Sequence, residues 1–149
     1  MFNIALYQPD IPQNTAAIIR LCSCFGVTLE IIEPCGFHLG DKRLKRVAMD
    51  YLDNAKIISY KSYEYFLYKK KKSRIILITT KAKKNYYNFK FKPNDTLLFG
   101  RESSGVPKNV HMNSNVRLKI PLKKNSRSLN VSIAAAITLS EALRQNIYF

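Results

Sequence analysis

Residues 119–136 read KIPLKKNSRSLNVSIAAA: the end of an apolar segment, a polar and basic loop, then a run of small and aliphatic residues. Val116 to Ile120 reads as a strand. Leu129, Ile133, Ala136 and Ile137 recur at three- and four-residue spacing, which predicts a helix with one apolar face. Ser128 is placed to supply the N-cap oxygen for the first free amides of that helix. Three successive alanines permit close backbone approach. A polar loop hung on two buried supports is where binding sites are commonly built, although an ordinary strand–loop–helix connection has the same pattern.

Upstream of this stretch, Asp95 to Gly100 (DTLLFG) reads as a buried strand that ends directly in RESSGVP, and Arg74 to Thr79 (RIILIT) as a continuous apolar strand of the parallel type. Asn3 to Tyr7, Thr28 to Glu33 and Lys56 to Ser59 are further short strands. A helix is expected from Asn14 to Phe25, with Asn14 as N-cap, Gly26 as C′ residue, and Ala17, Ile18, Leu21, Cys22 and Phe25 on its core face. KRLKRVAMDYL (42–52) is a basic helix, and SYEYFLYKKKK (62–72) a helix with an aromatic face and a basic tail that also suits the helix dipole. Strands alternating with helices predict an α/β fold, a mostly parallel sheet with helices on both faces, in one domain over residues 1–149. Ligands in such sheets lie beyond the carboxyl ends of the strands. Three segments qualify: ITT at Ile78, GRESSG after Phe99, and PLKKNSRS after Ile120. None is a Walker or G-x-G-x-x-G loop, but Gly100 and Gly105 permit close approach to a flat ligand.

The formal net charge is +15, from 25 Lys and Arg against 10 Asp and Glu. That excess points to a polyanionic partner, nucleic acid first and a membrane surface second. Lysines outnumber arginines 17 to 8, as biased base composition would also produce, so the distribution matters more than the total. Residues 1–41 carry one Lys or Arg, Arg20, and nearly all other positive charge lies between Lys42 and Arg127. The charged face of 42–52 suits either an RNA contact or plain solvation. TKAKKNYYNFKFK (80–92) interleaves Lys81, Lys83, Lys84 and Lys90 with Tyr86, Tyr87, Phe89 and Phe91, which suits base stacking or a loop packed on the core. Cys22, Cys24 and Cys35 have no bridge or metal spacing, and Cys22 and Cys24 are expected to be small core residues. With only His38 and His111 beside them no metal is expected, and no nucleophile-elbow pattern occurs. The first strand is too short for a signal peptide, and no apolar run approaches the roughly 20 residues that span a bilayer. A cytoplasmic location is expected.

Three blocks taken together resemble the SPOUT superfamily of RNA methyltransferases, in its ribose 2′-O-methyltransferase branch. They are NIALYQPDIPQNTAAIIRLCSCFG with Asn14 and Arg20, LLFGRESSGVP with Gly100, Glu102 and Gly105, and IPLKKNSRSLNVSIAAAITLSEALRQ with Ser128, Leu129 and Asn130. The compact form, with DKRLKRVAMDYL and LITTKA, looks most like the branch that methylates the wobble nucleotide (cytidine or uridine 34) of tRNA. That branch often has Tyr just before the Glu of the last helix, where Ser140 precedes Glu141 here.

The resemblance implies a C-terminal trefoil knot, with the loop after Ile120 threading near GRESSG. It implies S-adenosylmethionine held by Ile78, Thr79, Gly100, Ile120, Ser128 and Leu129. It also implies a homodimer with the site completed near the interface, and tRNA, at its anticodon region, as substrate. Arg20, Asn14 and Glu102 are the candidate catalytic residues; Lys123, Lys124, Arg127, Arg43 and Arg46 are candidate RNA contacts. A guanidinium stays protonated (pKa above about 12), so Arg20 is expected to position a phosphate or stabilise a developing alkoxide rather than act as a base. Two alternatives share the fold: methylation of ribosomal RNA or another tRNA ribose, and RNA binding without catalysis.

Overall fold

The computed structural model describes residues 1–146. β1 (Asn3–Tyr7), β2 (Thr28–Ile32), β3 (Ile57–Tyr60), β4 (Ile75–Ile78), β5 (Lys84–Asn85), β6 (Thr96–Phe99) and β7 (Val116–Lys119) form one sheet in the order β3-β2-β1-β6-β4-β7-β5. Every pairing is parallel, so all seven strands deliver their carboxyl ends to the same edge. The helices are α1 (Pro12–Phe25), α2 (Lys42–Ala48), α3 (Tyr51–Asn54), α4 (Tyr63–Lys69), α5 (Lys108–Asn113) and α6 (Val131–Asn146).

Successive side chains of a strand point to opposite faces, and the core divides accordingly. Ile4, Leu6, Ile76, Leu97 and Phe99 join the buried residues of α1, α2 and α6 on one face. Ala5, Ile75, Leu77 and Leu98 meet Phe66 of α4 and Val110 of α5 on the other. The expected parallel sheet covered on both faces is present. β1 and β6 are neighbours, yet β1 leads into α1 on one face and β6 leads towards α5 on the other. Loops that part in this way open a crevice at the strand ends.

Two ion pairs on buried carboxylates brace the sheet. Asp95 is fixed by Arg74, at 2.7 and 2.6 Å, and by the Lys92 amide, which ties the start of β4 to the start of β6. Glu30, in the middle of β2, accepts from the Tyr60 hydroxyl at 2.9 Å and from Lys70 Nζ at 2.6 Å.

Several sequence expectations are corrected. α1 starts at Pro12, whose fixed φ suits the first turn, with Ile11 at the N-cap position, so Asn14 lies inside the helix and is not its cap. Gly26 does end the helix in the left-handed conformation. The face of α1 in the core carries Ala16, Ile18, Ile19 and Cys22, because the helix packs on α2 and α6 as well as on the sheet. Ala17 and Leu21 are half-buried, and Phe25 and Cys24 are exposed. α6 begins at Val131, and its cap is Asn130, not Ser128: Asn130 Oδ1 accepts from the Ser132 amide at 2.8 Å and its carbonyl from Ala134. The side of α6 in the core carries Ala135, Leu139, Ala142 and Leu143, whereas Leu129 and Ile133 stay 36% and 51% exposed. The expected basic helix breaks at Met49, whose φ is +49°, into α2 and α3. In 80–92, Phe89 and Phe91 are buried, since Gln145 bonds the Phe89 carbonyl and the Phe91 amide and pins the segment to α6; those two rings are core and not stacking platforms. No helix among the described residues is long and apolar enough to cross a membrane.

Candidate active site

A cavity of about 550 Å³ opens at the carboxyl ends of β4, β6 and β7. Ile78, Thr79, Gly100, Ile120, Ser128 and Leu129, drawn from three separate stretches of sequence, all line it. Asn14, Glu102 and Arg127 are in the same wall. The apolar part of the lining, with Leu122 and Val131, suits a flat hydrophobic ring; Thr79, Ser128 and Asn130 supply polar groups around it.

One chain of hydrogen bonds holds the three motif segments together. Glu102 Oε2 accepts from the Asp10 amide at 2.8 Å and Oε1 from Asn14 Nδ2 at 3.2 Å. Asn14 Oδ1 in turn accepts from Asn130 Nδ2 at 2.8 Å. Asn130 Oδ1 then caps α6 through Ser132. Glu102 therefore positions the first turn of α1 against the loop after β7, and does not touch Arg20. The glutamate acts on backbone and amide donors, so its carboxylate charge is spent on fixing the cavity wall.

Gly100 is required for a different reason from the one its place in the sequence suggests. A Cβ there would lie 2.9 Å from the Gly105 backbone and 3.1 Å from Val106 Cγ1, so it would collide with the turn. That turn is closed by reciprocal bonds between Arg101 and Gly105, and Gly105 sits at φ +68°, where a side chain is strained. Gly100→Ala is expected to cost about 1–3 kcal/mol of stability by forcing the backbone apart, and to weaken ligand binding as the wall shifts. Thermal melting and calorimetric titration check both.

Two residues escaped the sequence reading, Asp10 and Arg101. Arg101 lines the cavity and pairs with Asp10 at 2.6 Å, and Asp10 also accepts from the Ser103 amide and hydroxyl. Burial pushes the Asp10 carboxyl up, but the bonds from Ser103 and Arg101 outweigh it and hold the pKa below 3.8. A depressed carboxylate pKa stabilises the fold above the unfolded value and loses that contribution as pH falls through the folded value. The tie between Asp10 and the 101–105 turn is therefore expected to persist below pH 3.8; the carboxyl carbon shift of Asp10 followed by NMR against pH checks this. The signal in the sequence was an acid inside a proline-rich turn, QPDIP, opposite an arginine that immediately follows a strand. His111 also reaches the cavity, and burial with Lys81 and Arg117 nearby lowers its pKa from 6.5, which favours the neutral imidazole.

The remaining candidates lie outside this wall. Arg20 is exposed on α1, and its guanidinium sits 4.9 Å from the centre of the Tyr51 ring of α3. Lys123 and Lys124 are exposed on the loop after β7, Arg46 on α2. Arg43 is exposed too, but its side chain closes on Asp41 at 3.1 and 2.8 Å, and these hydrogen bonds hold Asp41 at about 2. Of the five candidate RNA contacts, only Arg127 borders the cavity.

Comparison with known proteins shows the family. Residues 1–140 match the SpoU rRNA Methylase family. A protein from Beijerinckia indica named tRNA (cytidine(34)-2′-O)-methyltransferase is 49% identical over 95% of this chain and 90% of its own length. One of the same name from Escherichia coli K12 is 38% identical, over 97% and 94% of the two chains. A solved structure concerned with the 2-OH methylation of C/U34 on tRNA superimposes with a TM-score of 0.95 at 34% identity, over 99% of this chain and 97% of that one. The chain belongs to the SpoU rRNA Methylase family.

Proposed function

We propose that the chain transfers a methyl group from S-adenosylmethionine to the ribose 2′-oxygen of the wobble nucleotide of tRNA, cytidine or uridine 34. The observation that carries this reading is the convergence of three strand-end loops on one cavity, locked by the Glu102–Asn14–Asn130 chain. The names of the relatives, matched over nearly their whole length, supply the substrate.

The cavity suits the cofactor. Its volume, about 550 Å³, lies within the range of small-molecule sites. Apolar groups from Ile78, Ile120 and Leu129 match the adenine ring, and Lys81 and Arg127 are positive partners for the carboxylate of the methionine moiety. Bound there, S-adenosylmethionine supplies an electrophilic methyl group on a sulfonium centre. The chain's own residues bind, orient and exclude water. Glu102 and Asn14 keep the wall rigid, the Arg101–Gly105 turn shapes its floor, and a cation near the ribose oxygen stabilises the charge that develops as its proton leaves.

Within one chain Arg20 stands outside the cavity wall, so its role as that cation requires a second copy. Ile11, Leu129 and Ile133, at the adjoining ends of α1 and α6, are 42%, 36% and 51% exposed and offer apolar surface for a two-fold pairing. The pairing would bring Arg20 of one chain towards the cavity of the other. A trefoil knot, with the 120–130 loop threaded beside the 100–105 turn, accounts for how two loops so far apart in sequence share one wall. Cytoplasmic tRNA is the substrate pool for such an enzyme.

The test is transfer of isotope-labelled methyl from S-adenosylmethionine to tRNA and to ribosomal RNA fragments. Label at the wobble ribose of tRNA supports the proposal, and label in ribosomal RNA alone or at another tRNA ribose supports the first alternative. Cofactor binding without transfer to any RNA supports the non-catalytic one.

A further inference from the structure

Helix α4 presents an aromatic and basic face that the packing does not use. Its inner side chains, Tyr63 and Phe66, are buried against the sheet, whereas Tyr65 and Tyr68 on the outer side are 47% and 60% exposed. The two exposed rings stack, with centres 6.5 Å apart and 14° between planes. Each carries a cation: Lys69 Nζ lies 5.3 Å from the centre of the Tyr65 ring and Lys71 Nζ 4.7 Å from that of Tyr68. Lys61 and Lys72 are exposed close by in sequence, with Glu64 as the acid of the helix. Stacked rings left in water contribute little to folding, but aromatic surface flanked by lysines is what unpaired bases and their phosphates bind.

The face starts at the reaction end of the molecule. Tyr65 leans on Tyr60, the last residue of β3, at 6.1 Å, and Tyr63 meets Tyr7, the last residue of β1, edge-on at 5.7 Å. Because the sheet is parallel, the first turn of α4 and the cavity share one edge. β3 lies three strand spacings from β6, roughly 14 Å. That is the length of about four stacked nucleotides.

We propose that Tyr65 and Tyr68, with Lys69 and Lys71, bind unpaired nucleotides of the RNA substrate close to the target nucleotide, the bases stacking on the tyrosines and the lysines meeting the phosphates. The proposal rests on the reading of the chain as an RNA methyltransferase. Charge complementarity favours RNA as occupant: the chain carries +15, Lys69 and Lys71 lie at the two rings, and the exposed Lys61 and Lys72 flank the helix in sequence, against Glu64 as its acid.

The experiment measures tRNA affinity of the full chain by fluorescence anisotropy at fixed salt, beside cofactor affinity and oligomeric state. The double variant Tyr65→Ala/Tyr68→Ala is expected to bind tRNA about tenfold more weakly, with cofactor affinity and melting temperature unchanged. Tyr65→Phe/Tyr68→Phe, which keeps both rings, is expected to restore binding. Equal tRNA affinity in the alanine variant and the wild type overturns the proposal. So does a dimer that dissociates in the alanine variant while RNA affinity is retained, which assigns the face to a second copy. Failure of the functional reading looks different: a wild-type chain that transfers no methyl to tRNA removes the function, while loss of tRNA binding in the alanine variant still supports the α4 surface.

Discussion

Arg20→Ala is expected to slow single-turnover methyl transfer on bound tRNA by about a hundredfold or more, the loss typical of one preorganised stabilising donor. Cofactor affinity should hold, because Arg20 is not in the cavity wall. Stability should fall by about 1 kcal/mol at most, the worth of an exposed cation over an aromatic ring, here Tyr51. Arg20→Lys separates two roles: partial activity marks simple electrostatics, none marks bidentate orientation by the guanidinium fork. Mixing chains tests whether the residue acts across a dimer. An Arg20→Ala chain co-assembled with a Glu102→Ala chain regains one complete site if Arg20 serves its partner, and none if it serves its own cavity. Wild-type single-turnover rates in Arg20→Ala would reduce Arg20 to a clamp on α3.

Lys70→Met is expected to destabilise the fold by about 3–5 kcal/mol, the usual cost of stranding one member of a buried ion pair. Lys70 and Glu30 are among the most secluded charges in the molecule, with side chains 9% and 3% exposed and 2.6 Å apart. Among the described residues Glu30 Oε2 already has no partner, so the Tyr60 hydroxyl, on the other oxygen, would remain after the substitution. The double variant Lys70→Met/Glu30→Leu should recover much of the loss, since apolar replacements of a whole buried pair are often neutral or better. Urea unfolding measures both. A loss under 1 kcal/mol in the single variant would show that water reaches Glu30.

Much of this architecture was legible because strands and helices differ in hydrophobic period. The centres of RIILIT and DTLLFG, IILI and LLF, are apolar without alternation, the pattern of strands covered on both faces. The three loops that follow such strands converge, and the six residues expected to hold the cofactor line one cavity. Periodicity failed where a helix has two apolar stripes. Around α6 it selected Leu129, which precedes the helix, and Ile133, both exposed, over Ala135 and Leu139, which are buried. It also failed where long-range bonds decide burial: nothing local to NYYNFKF announces that Gln145 will pull Phe89 and Phe91 inward. Partnerships such as Lys70 with Glu30, or Arg101 with Asp10, join residues 40 and 91 positions apart and leave no trace in spacing. The lysine run at 69–72 shows the same limit, with Lys70 buried among exposed neighbours.

The central claim is the reaction and its place on the RNA. It is tested most directly by nucleoside mass spectrometry of tRNA from cells with and without this protein, with digestion mapping of the anticodon. The account predicts a 2′-O-methylated cytidine or uridine at position 34 that disappears with the protein and returns with the wild-type chain, but not with Arg20→Ala. Unchanged ribose methylation at that nucleotide in cells lacking the protein, with no methyl transfer to the unmodified tRNA in vitro, would contradict it.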